Sequence, residues 1–162
     1  EAIASYILAS RGLDLSESRV LDAFAGSGAM GFELLSRGAL YATFVDKDRK
    51  TCDRIKRTAK SLGVNTSEMI VICGDTARLA ESSQLFGGPF DVVFLDPPYA
   101  VEAEVVSKLL KDLTQAGSLT KDAVVVYEHR HKSDSLSLDN FELSKSKRYG
   151  IAQVDLLVRC EG

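Results

Sequence analysis

The chain has 162 residues, 45% of them hydrophobic and 27% charged. These are ordinary values for a globular protein, and the length suits one domain, residues 1–162, with a real core. No run approaches the roughly 18 to 20 uninterrupted apolar residues of a membrane span, and no charged-then-apolar signal peptide opens the sequence. A cytoplasmic protein without membrane attachment is expected. The net charge of −3 does not advertise nucleic-acid binding, since dedicated binders carry a basic patch or a high pI. Net charge can conceal local asymmetry, however.

Residues 2–10 read as a helix ended by Gly12. Strands and helices then alternate. A short apolar strand at 19–23 leads to a helix at 28–36 closed by Gly38, and a second strand at 41–45 leads to a helix from 48 to about 62. The third strand, 69–73, precedes a short helix from 76 to about 83; the fourth, 90–95, precedes an amphipathic helix at 101–113; the fifth covers 123–128. Continuous Val/Ile/Leu strands between helices predict a parallel sheet covered on both faces. The end departs from this pattern: 141–148 and 151–160 read as two strands joined at Tyr149 and Gly150, an antiparallel hairpin with no helix between. The stretch 131–140 is short for a parallel crossover. The fold class is therefore α/β, Rossmann-like: a mostly parallel, seven-stranded sheet with helices on both faces and a C-terminal hairpin.

Cys52, Cys73 and Cys160 form no C-x-x-C pair and are odd in number, so reduced structural thiols are expected rather than a disulfide framework or zinc site. His129 and His131 show no metal-ligand spacing with other His or Cys, and no metal is proposed.

The chemistry begins after the first strand, in the string from Asp22 to Gly31. Gly26, Gly28 and Gly31 satisfy G-x-G-x-x-G, and Asp46 lies 20 residues past Gly26, as in a dinucleotide-binding fingerprint. Electrostatics separates the two cofactors such a turn can serve. A pyrophosphate seeks bare amides at a helix N-terminus, whereas this turn opens with a carboxylate. Asp22, Asp46, Asp75 and Asp96 fall at the ends of the first four strands, and ligands of open α/β sheets sit beyond those ends. Four acids around one crevice repel a pyrophosphate. They suit S-adenosylmethionine, which carries a sulfonium, an ammonium and two ribose hydroxyls but no phosphate.

Strand four runs directly into Asp96, Pro97, Pro98 and Tyr99. Two prolines fix φ and remove two donors, so the turn is stiff and its carbonyls are free to accept. A carboxylate and a carbonyl held together can grip both hydrogens of an NH2 group. Accepting both localises the nitrogen lone pair toward a methyl donor and stabilises the charge growing on nitrogen. Tyr99 offers a ring on which a base can stack, and a duplex target would have to be flipped out.

The strings Val20–Gly28, Phe44–Asp48, Gly74-Asp75 and Asp96–Tyr99 resemble those of class I methyltransferases. More narrowly, they are similar to the RsmD-type family, which methylates the N2 amine of a guanine in small-subunit ribosomal RNA. The resemblance extends over nearly the whole chain, including Leu35–Ala39 and the closing hairpin. It implies that Asp22, Phe24, Gly26, Ser27 and Gly28 surround the methionine part of S-adenosylmethionine. Asp46 would hold the ribose, Lys47 would lie by the adenine, and Asp75, after Gly74, would accept from the adenine amino group. Asp96 and the Pro97 carbonyl would hold the target amine, with Pro98 stiffening the turn and Tyr99 packing on the base. The implied partner is small-subunit ribosomal RNA or the assembled small subunit, met by a monomer. The family usually begins with a basic β-hairpin, which is not present before the first helix here. Remaining basic groups for the RNA approach are His129, Arg130, His131, Lys132, Lys145, Lys147 and Arg148, whereas the basic helix from Arg49 to Lys60 reads as an ordinary outer helix. Alternatives are adenine-N6 methylation of DNA, which shares the D-P-P-Y string; protein glutamine methylation, which usually shows Asn at the position of Asp96; an NAD-dependent oxidoreductase; and a silent nucleotide-binding module.

Overall fold

Strands that are apolar on both faces must be covered on both, and the computed structural model meets that requirement with one sheet between two helical layers. It describes residues 2–12, 14–130, 136 and 138–160. The strands are β1 (Arg19–Asp22), β2 (Tyr41–Asp46), β3 (Met69–Cys73), β4 (Phe90–Leu95), β5 (Leu119–Arg130), β6 (Phe141–Tyr149) and β7 (Ala152–Arg159). The helices are α1 (Ala2–Ser10), α2 (Ala29–Ser36), α3 (Arg49–Leu62), α4 (Thr76–Glu81) and α5 (Ala103–Gln115). The sheet order is β3-β2-β1-β4-β5-β7-β6. The first five strands run parallel, and β7 enters antiparallel between β5 and β6. The expected doubly covered sheet with its terminal hairpin is present.

Side chains alternate between the faces. Val20, Phe44 and Val92 pack with Ile7, Leu34 and Ile55 under α1, α2 and α3. Leu21, Val45 and Val93 pack with Ala80, Leu109 and Leu113 under α4 and α5. Helix α3 keeps only Cys52, Ile55 and Ala59 buried, so its basic residues form a solvated outer face, as the sequence suggests.

Two elements differ from the sequence reading. Strand β5 covers twelve residues rather than the six at 123–128. Its start is paired with β4 (Phe90↔Leu119) and its end with β7 (Arg130↔Ala152), so neighbours on both edges lengthen it. Helix α5 starts at Ala103, because Val101 first closes a turn onto the Pro98 carbonyl. Cys52 and Cys73, distant in sequence, come together beside β2: Cys52 Sγ donates to the Asp46 carbonyl and Cys73 Sγ to that of Lys47. Burial pushes the Cys52 thiol up to about 11, so it stays protonated. The route through 131–135 lies outside the described residues.

The glycines of the first turn have distinct duties. Gly26 and Gly28 adopt φ of 55° and 79°, the left-handed region that costs a Cβ-bearing residue energy. Gly31 is needed for space: a Cβ there would lie 2.3 Å from the fully buried Phe44 ring. Gly31→Ala is expected to destabilise the protein by about 1–3 kcal/mol by overpacking, outweighing the gain of up to about 1 kcal/mol in helix propensity. Urea unfolding reads this directly, and an unchanged midpoint would contradict the packing argument.

Candidate active site

The carboxyl ends of the parallel strands converge on a cleft of about 1460 Å³. Asp22, Phe24, Gly26, Ser27, Asp46, Lys47, Gly74, Asp75, Asp96, Pro97, Pro98 and Tyr99 all border it. Of the residues that the resemblance assigns to cofactor or substrate, Gly28 alone stands back, as the left-handed N-cap of α2.

Asp22 is the deepest of the acids, 5% exposed. Its Oδ2 accepts the Gly31 amide at 3.1 Å, so the carboxylate occupies the positive end of α2 where an anionic ligand would otherwise settle. Asp46 spans the turn: Oδ2 accepts from the Gly26 amide at 3.0 Å and Oδ1 from the Asp48 amide at 2.9 Å. A carboxylate offers about four lone-pair sites, so both oxygens retain capacity for a diol. Asp75 caps α4, accepting from the amides of Ala77 and Arg78. Thr76 donates its hydroxyl to the Ala23 carbonyl, tying α4 to the end of β1.

Burial, with Asp96 and Asp46 nearby, pushes the Asp22 carboxyl up to about 7, against the pull of the Gly31 amide. A concentration of negative charge with one carboxyl that resists ionisation suits a cationic ligand. It opposes a pyrophosphate.

Across the cleft, Asp96 follows β4 and Glu128 sits on β5. The register Leu95↔Tyr127 places the two side by side. Their carboxyls hydrogen-bond to each other, and burial raises both. Asp96 opens to water in the cleft yet remains sufficiently ringed by protein for that rise. Pro97 and Pro98 carry the chain to Tyr99, whose side chain projects outward, 70% exposed. The Arg130 guanidinium lies 3.9 Å from the Tyr99 ring centroid, so one face of that ring is already covered by a cation. Glu128 is a cleft residue that periodicity missed, and Arg130, read from the sequence only as a basic group for the RNA approach, borders the cleft as well. The sequence signal was a charged pair at the end of an apolar strand, but only the sheet order brings that end beside Asp96.

The basic groups of the sequence divide. His129 borders the cleft but is buried rather than an exposed basic group: Nε2 lies 2.7 Å from Asp155 Oδ2, and the ring stacks on Tyr127. This corrects the surface reading. Lys145, Lys147 and Arg148 are exposed on the edge strand β6, with Lys147 5.8 Å from the Tyr6 ring and 5.1 Å from that of Tyr149. His131 and Lys132 lie outside the described residues. Among the described residues, no group of three His, Cys, Asp or Glu side chains is arranged to hold a metal ion.

Comparison with known proteins accords with this geometry. Residues 3–158 match a family model described as conserved hypothetical protein 95. Ribosomal RNA small subunit methyltransferase D of Buchnera aphidicola is 31% identical over 133 residues, covering 82% of this chain and 66% of the relative, so the chain spans about two thirds of that protein. The Haemophilus influenzae protein of the same name is 31% identical over 143 residues, covering 88% of this chain and 72% of the relative. A solved structure from Haemophilus influenzae, provisionally assigned as a methylase, superposes with a TM-score of 0.86 at 28% identity, covering 99% of this chain and 98% of that one.

The Asp22 carboxyl carries a pH signature. Its value of about 7 in the fold exceeds the ordinary 3.8, so its contribution to stability is complete below the lower value and lost as pH rises through the upper one. Asp22→Asn keeps the Gly31 acceptor but cannot ionise. The variant is expected to gain stability relative to the parent as pH rises from about 4 to about 7, measured by urea unfolding; parallel pH profiles would exclude a buried titrating Asp22.

Proposed function

Because this chain belongs to the family of ribosomal RNA small subunit methyltransferase D, we propose that it transfers a methyl group from S-adenosylmethionine to the exocyclic N2 amine of a guanine in small-subunit ribosomal RNA. The observation that carries this reading is that the Asp96–Tyr99 turn and the glycine turn open onto one cleft. An acceptor pair for an NH2 group thus faces an acidic pocket for a cation.

The residues present fit the cofactor. Asp22 and the Gly26–Gly28 turn, with Phe24 and Ser27, surround its amino-acid part; Asp46 holds the ribose, with Lys47, Gly74 and Asp75 toward the adenine. When bound, S-adenosylmethionine supplies an electrophilic methyl group on a sulfonium. The rest of the work belongs to the chain. Asp96 and the Pro97 carbonyl accept the two amine hydrogens, orient the nitrogen lone pair and stabilise the positive charge that develops there. Asp96, which holds the amine, can take the proton that the methylated amine must release. Tyr99, backed by Arg130, receives the plane of the base.

The partner on this reading is ribosomal RNA, naked or in the assembled small subunit, with Lys145, Lys147 and Arg148 available to phosphates. One domain carries the chemistry and acts as a monomer in the cytoplasm, where free thiols such as Cys52, Cys73 and Cys160 persist. No helix among the described residues is long and apolar enough to cross a membrane.

Labelled methyl groups are expected to enter small-subunit RNA or particles and not duplex DNA; the reverse would favour the adenine-N6 reading. Calorimetry should show micromolar binding of S-adenosylhomocysteine and none of NAD. Asp96→Ala is expected to abolish transfer while cofactor affinity stays within a few-fold, and a variant with near-normal rate would remove Asp96 from the mechanism. Asp46→Ala should weaken the cofactor by about 1.5–3 kcal/mol for lost charge-assisted bonds. Unchanged affinity would refute its assignment.

A further inference from the structure

We propose that Glu128 is the residue that selects guanine, its carboxylate accepting the ring N1–H beside the amine that Asp96 holds. The inference rests on the methylation reading above and deepens it by assigning a specificity residue.

The placement follows from the sheet. β4 and β5 are parallel with Leu95 opposite Tyr127, so the next residue on each strand, Asp96 and Glu128, emerges at the same level. Both border the cleft. Tyr127 is buried beneath them, so Glu128 stands on a fixed floor. Two acidic side chains this close repel unless something donates between them. In the free protein burial raises both carboxyls; at Glu128 the Asp96 charge adds to the rise, while the hydrogen bond from Glu128 pulls Asp96 the other way.

A substrate relieves that repulsion with donors of its own. Three bases carry an exocyclic amine, and they differ in the ring nitrogen beside it. Adenine has an unprotonated N1 next to its amine, and cytosine an unprotonated N3; each would point a lone pair at the second carboxylate. Guanine has N1–H next to N2–H2, a continuous row of donors. Two adjacent carboxylates match only that row. The repulsive element against adenine and cytosine is as much a part of the selection as the attraction to guanine. Sites that hydrogen-bond a substrate N–H reject analogues lacking it, because their own polar groups are left unpaired. An adenine-directed site sharing the same turn would need an uncharged or donating group at this position.

The test uses analogues that keep the amine and change the ring. Once the modified guanine is mapped, small-subunit RNA is assembled by ligation with guanine, 6-thioguanine or 2-aminopurine at that position. 6-Thioguanine retains N1–H, whereas 2-aminopurine retains the amine but has an unprotonated N1. The wild-type protein should methylate the thio analogue within a few-fold of guanine and 2-aminopurine roughly 10- to 100-fold less efficiently in kcat/KM, the fold-change for one unpaired acceptor. Glu128→Gln can turn its amide N–H to the unprotonated N1, so its preference for guanine over 2-aminopurine should collapse to a few-fold. Binding of S-adenosylhomocysteine at parental affinity certifies that the variant is folded. A wild-type protein that uses 2-aminopurine as readily as guanine overturns the inference, whether or not the variant folds. So does a folded E128Q protein with the parental preference. In either case, transfer to guanine leaves the methylation reading standing; absence of transfer to any guanine overturns that reading and the selector with it.

Discussion

Where strand β1 ends, the buried Asp22 carboxylate accepts the Gly31 amide at 3.1 Å, and much of the site depends on that contact. It fills the positive end of α2 with protein charge, so the glycine turn cannot serve an anion in the way such turns serve pyrophosphates. It also requires the helix to start close to the strand end. Gly26 and Gly28 meet that demand in left-handed geometry, and Gly31 meets it by leaving Phe44 room for its ring. The same three glycines that resemble a dinucleotide fingerprint therefore build its electrostatic opposite. A carboxyl held at about 7 by burial and by neighbouring acids is poorly solvated as an anion, and a cation beside it relieves that directly.

A second carboxyl group behaves differently because its surroundings differ. Asp96 follows β4 into an open part of the cleft and finds Glu128 rather than a backbone amide. Asp22 is fixed by one main-chain donor and buried; Asp96 and Glu128 face the cleft, where donors from outside can reach them. Parallel register sets both arrangements. Asp22 lies opposite Phe44 and Phe94 on the adjoining strands, while Leu95 and Tyr127 carry Asp96 and Glu128 to a common level. Environment separates one residue type into a buried group tied to the backbone and a group facing a second acid across the cleft wall.

Much of this was legible in the sequence for a physical reason. Apolar runs of strand length, glycines at strand-to-helix turns and acids at strand ends are local signals; Asp22, Gly26, Asp46, Asp75 and Asp96, chosen from them, border the cleft, as do Phe24, Ser27, Lys47 and Gly74, which the resemblance added. What stayed hidden depends on which strands are neighbours. Glu128 read as the last residue of a strand ending at 128, because hydropathy falls there; pairing with β7 carries β5 on to Arg130 and leaves Glu128 as a wall of the cleft. His129 illustrates the opposite error. Its company of Arg130, His131 and Lys132 suggested a basic surface, but antiparallel pairing with β7 sets it against Asp155, and the two side chains are buried together. Neither partner is visible in a local window, since Asp155 lies 26 residues away on a strand running the other way.

The net charge of −3 and an RNA substrate are reconciled by where the charge sits. A cleft walled by Asp22, Asp46, Asp96 and Glu128 repels phosphates, yet a nucleobase is neutral and its amine edge is rich in donors. On the proposed reading, such a cleft would admit the base and exclude the backbone to which it is joined. The phosphates must then be met outside the cleft. Lys145, Lys147 and Arg148 stand exposed on β6, the strand next to β7, whose first residue, Ala152, borders the cleft opposite Arg130. On the proposed reading, segregating acid inside and base outside would leave a flipped nucleotide one orientation in which both its parts are accommodated. Replacing the cleft acids by lysines would raise general RNA affinity while admitting the backbone where the base belongs, so a more basic protein of this shape would be a better RNA binder and a poorer methyltransferase.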